Sequence, residues 1–268
     1  MRWYQRLKKT YIVIILAFFY APLLCVIALS FNSNQYPNVW AGFSLKWYSE
    51  MLNDRALMRA LLNSLTVAFF STVFSAIFGT AAAIGSSRLK GWKKSAFGGI
   101  IYLPIILPEV ILGLALVMFF SLFNVHYGIV TIVLSHITFC MPYVYLMVSI
   151  RLRGIDSSVY EAAIDLGADA SQVFTTIVLP LVAPGIATGS LLSIAMSLDD
   201  VVISYYVSGP TSGTLPIQLF SMMKLGITPK INALCTIIFT VIATAAFLAY
   251  NVSSRKKRGD KINETEIA

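Results

Sequence analysis

EAAIDLGADASQVFTTIVLP, Glu161 to Pro180, is a polar block set between two long apolar runs. Ser158-Val159-Tyr160-Glu161 fits a capping box just before it, with the Ser hydroxyl and the Glu three residues later satisfying free amides at a helix start. Gly167 takes the left-handed conformation that ends a short helix. Asp169-Ala170-Ser171-Gln172 fits a second cap of the same kind, and Val173, Phe174 and Ile177 form an apolar stripe that leads to Leu179-Pro180. The spacing predicts helix, glycine turn, helix, lying roughly parallel to a membrane. Ala162 and Ala163 are small enough to admit the groove of another protein, and Glu161 is placed to pair with a cation or to cap the helix. A docking device is one reading of such a block; a structured loop with no partner is the other.

The flanks make this a membrane protein. The chain has 268 residues, 57% hydrophobic and 12% charged, against about 25% charged in soluble domains. A span needs roughly 20 apolar residues, and six stretches qualify: about Tyr11–Phe31, Leu61–Gly85, Phe97–Phe123, Ile129–Ile150, Leu181–Val207 and Asn232–Val252. Six in a row leave no amphipathic helices to cover them, so buried soluble core helices do not account for the pattern. The first run is also longer than the 7–15 apolar residues of a signal peptide, which favours an uncleaved span.

Orientation follows from Lys and Arg. Arg2, Arg6, Lys8 and Lys9 precede the first span, Arg88, Lys90, Lys93 and Lys94 follow the second, Arg151 and Arg153 follow the fourth, and Arg255, Lys256, Lys257, Arg258 and Lys261 follow the sixth. All fall on one side, which places both termini and the Glu161 block in the cytoplasm. The net charge of +8 is then a topology signal. Split into short flanks, it does not form a nucleic-acid surface. One membrane domain over 1–252, with a loop at 151–180, and a short basic, disordered tail over 253–268 complete the organisation.

Catalytic and metal chemistry find no support. A Walker A pattern is absent, since Lys94-Ser95 lacks the glycines, and His126 and His136 belong to no paired-ligand spacing. A lone membrane histidine reads as an interhelical hydrogen-bond donor. Cys25, Cys140 and Cys235 fall inside spans without CxxC spacing and read as buried small apolar residues. Trp40, Trp47 and Tyr48, in the outer segment Asn32 to Ala60, suit an interfacial anchor or contact with an external partner. Pro104 and Pro108 predict a bend in the third span beside Glu109, and Pro142 a kink in the fourth.

The block also resembles a family. E-A-A, three residues, Gly, nine residues, I-x-L-P is the signature of permease subunits of ABC importers, and it is complete in Glu161-Ala162-Ala163, Gly167, Ile177 and Leu179-Pro180. Ser30–Tyr48, Leu107–Leu116, Leu134–Val144, Ser197–Pro210, Thr214–Pro216 and Ile231–Leu234 resemble the spermidine/putrescine importer permeases, most of all the second of the two permeases. The resemblance implies an all-α integral membrane protein of six transmembrane helices, the type I ABC importer permease fold, in the bacterial inner membrane. It implies that Glu161, Ala162, Ala163, Asp165, Gly167, Ile177, Leu179 and Pro180 couple to an ATPase. It further implies a heterodimer with a second permease, a dimer of ATPases and an extracytoplasmic polyamine-binding protein. ATP is bound by the ATPase, and this chain carries no cofactor, no catalytic residue and no metal.

Glu109, Asp199 and Asp200 are the acids inside the spans, which hold no Lys or Arg. A charge near the bilayer centre costs roughly 2.5–3.5 kcal/mol on insertion scales, so it faces an interior path or a partner. Three acids without an in-span cation suggest a route for positive solute. Tyr205 and Tyr206, about two turns beyond Asp199, are candidates for cation–π contact with ammonium groups. Asp199 and Asp200 point about 100° apart on a helix, so one faces a narrow path, with Asp199 favoured. The other pairs with the partner permease, caps a helix break or is protonated by burial. Interhelical hydrogen bonding without solute contact is the alternative for all three. Rival readings are an importer for another solute such as a metal chelate, an ion-coupled secondary transporter, and a scaffold subunit.

Overall fold

The structure is a computed structural model that describes residues 2–36, 39–226, 228–244 and 247. Among these the named elements are helices: α1 (Arg2–Leu29), α2 (Lys46–Leu52), α3 (Arg55–Ser87), α4 (Gly91–Ile106), α5 (Glu109–Leu122), α6 (Ile129–Arg153), α7 (Ser157–Asp165), α8 (Ala170–Gln172), a π-helical turn (Val173–Val178), α9 (Leu179–Asp199), α10 (Val202–Val207) and α11 (Leu215–Leu225). A further apolar helix covers Pro229–Thr244. Among the described residues four helices are long and apolar enough to cross a membrane, or five when the bent pair α4–α5 counts as one span. The sixth expected span, Asn232–Val252, is described only to residue 244 and at 247, and the tail 253–268 lies outside the described residues.

The chain divides into two compact units, residues 1–55 with 222–268, and residues 56–221. In the first, the segment after α1 folds back on itself. Asn32 is fully buried; its amide donates to the Val39 carbonyl at 2.8 Å and its Oδ1 accepts from Ala41 N at 3.0 Å. Trp47 is buried as well, its indole N–H donating to the Asn32 carbonyl at 2.7 Å, and the Tyr48 hydroxyl lies 2.6 Å from Ser30 Oγ. Trp47 and Tyr48 therefore serve this fold-back, and Trp40 is the exposed aromatic of the three expected anchors. Lys230 Nζ meets Asp54 Oδ2 at 2.9 Å, pinning the start of the Pro229–Thr244 helix to the turn before α3. Cys25 is exposed on α1, Cys235 is half-buried and Cys140 is buried, so the expectation that all three cysteines are buried holds fully only for Cys140 and fails for Cys25.

The second unit is organised around α6, against which α9 packs at close range. A Cβ built on Gly189 would lie 2.7 Å from Val144 Cα, and one on Gly185 2.9 Å from the Met147 carbonyl. Small residues here let two backbones touch, the usual way to gain van der Waals contact between helices in lipid, where no hydrophobic force drives them together. Two apolar clusters flank this seam. Val144, Val148, Val182, Ala163, Val173 and Val178 form one. The other comprises Val67, Leu112, Phe120, Ile132, Ile203 and Val207. Asn63 and Ser64 on α3 fasten the loop before α11, through Asn63 Nδ2 to the Gly213 carbonyl at 3.0 Å and Leu215 N to Ser64 Oγ at 2.8 Å.

Two apolar runs are broken. Between Ile106 and Glu109 the chain bends by 105°. Pro108 has no N–H to donate and disfavours helical geometry at Leu107, whose ψ is 138°. The run Leu181–Val207 breaks after Asp199, where Asp200 turns extended, with ψ 124°. Pro142, by contrast, leaves α6 continuous and is itself buried.

Candidate functional site: a helix–glycine–helix block and an acidic cavity

The Glu161 block forms the short helix and glycine turn expected, with a different start. Asp156, two residues before Ser158, is the N-cap of α7: its carboxylate accepts from Ser158 N at 3.0 Å. Ser158 therefore sits inside the helix, and the box between Ser158 and Glu161 is not formed. Asp and Ser rank alike as caps, so the pattern alone could not separate Asp156 from Ser158. The Ser158 amide, with the Ser158 hydroxyl, holds the Asp156 carboxyl below the usual aspartate value.

At the other end Gly167 has φ +82°. Ala168 N donates to the Ala163 carbonyl at 3.0 Å and Gly167 N to that of Ile164 at 2.9 Å, which together make a Schellman motif. The second cap forms as expected: Asp169 Oδ1 accepts from Ser171 N and Gln172 N, both at 2.8 Å, and Gln172 Oε1 accepts from Asp169 N at 3.0 Å. The helix so started does not lie apart. It continues through the π turn into α9, a continuous run from Ala170 to Asp199. Pro180 explains the wide turn. Its missing N–H and its ring would crowd the Thr176 carbonyl in a regular helix, and Leu179 N donates instead to the Phe174 carbonyl, five residues back.

Of the expected coupling residues, Ala163 is buried in the first cluster and Ile177 is half-buried against it. Glu161, Ala162, Asp165, Gly167, Leu179 and Pro180 are exposed. Ala163 thus anchors α7 to the body while its polar face stays open. Two further residues escaped the pattern reading: Leu166 is 89% exposed and Ile164 63% exposed. Both apolar side chains are held out from an otherwise polar loop.

The three in-span acids meet. Glu109 begins α5 just after the 105° bend, Asp199 ends α9, and Asp200 occupies the second break; all three line one cavity of about 380 Å³. Glu109 and Asp199 are exposed, while Asp200 is 9% exposed and otherwise engaged. Asp200 Oδ2 accepts from Ser204 N at 2.7 Å and Oδ1 from Ile203 N at 3.2 Å, so it caps α10. His136, fully buried on α6, lies 3.3 Å from Asp200 Oδ2 through Nε2, 2.9 Å from Ser204 Oγ, and 2.8 Å from Ser197 Oγ through Nδ1. The break is thus locked by a polar node joining α6, α9 and α10. His136 stands as the in-span partner of Asp200 that counting Lys and Arg overlooks.

Tyr205 and Tyr206 do not line this cavity. Tyr205 is exposed elsewhere, and Tyr206 lies over Gly113, where a Cβ would come within 2.8 Å of its ring. The break at Asp200 changes the phase of α10, so helical spacing from Asp199 misplaces them. The aromatic wall is Tyr143 and Phe139 of α6 instead. Their place one turn apart on a buried helix carried no sequence signal. No cluster of three metal-ligating residues occurs among the described residues.

Known proteins resemble this chain in sequence and in fold. Residues 75–259 match the family described as "Binding-protein-dependent transport system inner membrane component". The chain is 42% identical over 248 residues to the putrescine transport system permease protein PotI of Escherichia coli strain K12, covering 90% of this chain and 88% of that one. It is 35% identical to the spermidine/putrescine transport system permease protein PotC of the same strain, over 95% of this chain and 96% of that one. Among solved structures, a subunit of a bacterial ABC transporter that imports the acidic polysaccharide alginate superposes with a TM-score of 0.71 at 16% identity, covering 95% of this chain and 96% of that one. That likeness is one of fold. The chain belongs to the binding-protein-dependent transport system inner membrane component family and is a multi-pass membrane permease subunit.

Proposed function

We propose that this chain is a permease subunit of an ATP-driven polyamine importer, with six spans and both termini cytoplasmic. One observation carries the solute reading: Glu109 and the adjacent Asp199 and Asp200, from two separate parts of the chain, line a single cavity at the junction of two broken helices. Polyamines bear ammonium groups spaced by methylenes. Carboxylates satisfy the charges, and the Tyr143 and Phe139 faces hold ammonium heads and stems. The names of the relatives, putrescine and spermidine/putrescine permeases, support the same solute class.

Glu109 and Asp199 are the solute contacts, and Asp200, tied to His136, sets the break that presents Asp199. A second permease completes the path, and an extracytoplasmic binding protein delivers solute. α7 and the Gly167 turn seat on a separate ATPase that binds the nucleotide, with Ile164 and Leu166 adding apolar contact. Closure of the ATPase dimer on ATP favours one orientation of the block, and the spans shift from inward-open to outward-open. This is a population shift driven by differential binding.

The test is radiolabelled putrescine and spermidine uptake into proteoliposomes holding the assembled complex. Glu109→Gln with Asp199→Asn should reduce uptake at least ten-fold, since a hydrogen bond to a charged group is worth roughly 1.5–3 kcal/mol, while assembly with the ATPase is retained. Wild-type uptake in that double variant defeats the solute path. Uptake that continues without ATP instead identifies an ion-coupled carrier, and a complex indifferent to both amines identifies another solute.

A further inference from the structure

A second cavity, of about 180 Å³, lies where α3 ends, α4 begins and α6 ends. Ser86 and Ser87, Lys94, Tyr145 and Ser149, and Arg153 line it. Its chemistry is opposite to that of the acidic cavity. Among the described residues neither Lys94 nor Arg153 has a carboxylate partner. Among the described residues Ser149 Oγ, which is buried, likewise has no hydrogen-bond partner, a costly state unless something supplies one. Ser86 Oγ lies 3.0 Å from the Ala83 carbonyl and 3.2 Å from the Tyr145 hydroxyl. The start of α4 adds an independent observation. Its first turn holds no acid, its N-cap residue makes no side-chain hydrogen bond, and Lys93 and Lys94 stand at the positive end of the helix dipole. Cations are misplaced there and an anion is favoured.

We infer that this cavity is a phosphate-binding site, and that its occupant is the headgroup of an anionic phospholipid gripped by Lys94, Arg153 and the Ser149 hydroxyl. Lipid is favoured over free phosphate because the cavity lies at the ends of apolar helices, where basic pockets between spans receive acidic headgroups. Arg153 is the last residue of α6, three before the Asp156 cap of α7. A bound headgroup therefore ties the α3–α4 turn to the root of the helix–glycine–helix block and limits how that block moves. The inference takes from the proposed topology only that this end of α6 meets the cytoplasmic leaflet. Lipid retention is read without solute or ATP, so its failure leaves the importer reading untouched.

The experiment is native mass spectrometry of the purified importer complex titrated with dioleoylphosphatidylglycerol. Each cation near an acidic surface contributes a factor of roughly five, so Lys94→Ala with Arg153→Ala should weaken retention about thirty-fold. Lys8→Ala with Lys9→Ala removes equal charge elsewhere and should leave it unchanged. Ser149→Ala removes no charge and should still weaken retention on the order of ten-fold, the value of a hydrogen bond to an anion. Excess inorganic phosphate separates the sources: failure to displace the lipid supports the headgroup, whereas displacement together with direct phosphate binding supports the same site with free phosphate as occupant. The site is overturned if Ser149→Ala retains lipid like wild type, or if the two double variants behave alike. Equal retention in every variant would mean that another subunit's acidic group fills the cavity, which also overturns it.

Discussion

Gly167 offers a graded test of the proposed coupling. Its φ of +82° lies in the left-handed region, yet a Cβ built there meets nothing within 4 Å. Any substitution in the isolated chain is therefore penalised by backbone alone. An ordinary L-residue pays roughly 1–2 kcal/mol in this conformation, a β-branched one more, and Asn less, because it visits the region readily. The Schellman bonds Ala168 N to Ala163 O and Gly167 N to Ile164 O depend on that conformation, and they hold Leu166 and Ile164 outward. Gly167→Asn should keep near-wild-type uptake, Gly167→Ala should lose several-fold, and Gly167→Val should lose most uptake while the ATPase still turns over. Substrate-stimulated ATPase activity and amine uptake are measured on the same proteoliposomes, so coupling is read as their ratio. Equal loss in all three variants would refute the backbone argument and point to a steric clash with the partner. Undiminished uptake in Gly167→Val removes the block from the coupling path.

Three further outcomes follow from the geometry. His136→Ala removes the imidazole from the buried Asp200 carboxylate, which keeps its Ser204 and Ile203 amides, and should destabilise the chain by about 1–3 kcal/mol, seen as a lower Tm of the purified complex; adding Asp200→Asn should restore part of it, and additive losses would break the pairing argument. Gly189→Ala forces a Cβ to 2.7 Å from Val144 Cα and should cost about 1–3 kcal/mol, whereas Gly85→Ala, with open space around its Cβ on α3, should gain up to about 1 kcal/mol; the Tm difference between the two checks both. The Asp156 carboxyl is held below its ordinary value of 3.8 by the Ser158 amide. A depressed value means that its cap on α7 is in place at neutral pH and is lost only as the pH falls through the lowered value; the hydrogen-exchange protection factor at Ser158, corrected for the intrinsic pH dependence of exchange, should fall there and stay flat above pH 5, and Asp156→Ala should abolish that step.

Local chemistry made the block legible from residues alone. A glycine stop, an Asp–Gln cap and the family spacing act over three to twenty residues, and each formed where the pattern put it. The all-helical character and the bend at Pro108 were equally plain, because long apolar runs and a missing backbone donor have direct consequences. Ser158 as the cap was the local error, since two good cap residues two positions apart compete on nearly equal terms.

What only the folded chain decided is who meets whom across long separations. No spacing rule brings Glu109 to Asp199, or His136 to Asp200, because these meetings depend on how α9 seats its glycines against α6 and where the helices around that seam break. The same cause moved the aromatic wall from Tyr205 and Tyr206 to Tyr143 and Phe139: helical phase survives along an unbroken helix and is lost at a break. Sequence determined the segments and their ends, where bonding is short-range. Packing determined the cavities, where the partners lie on different helices.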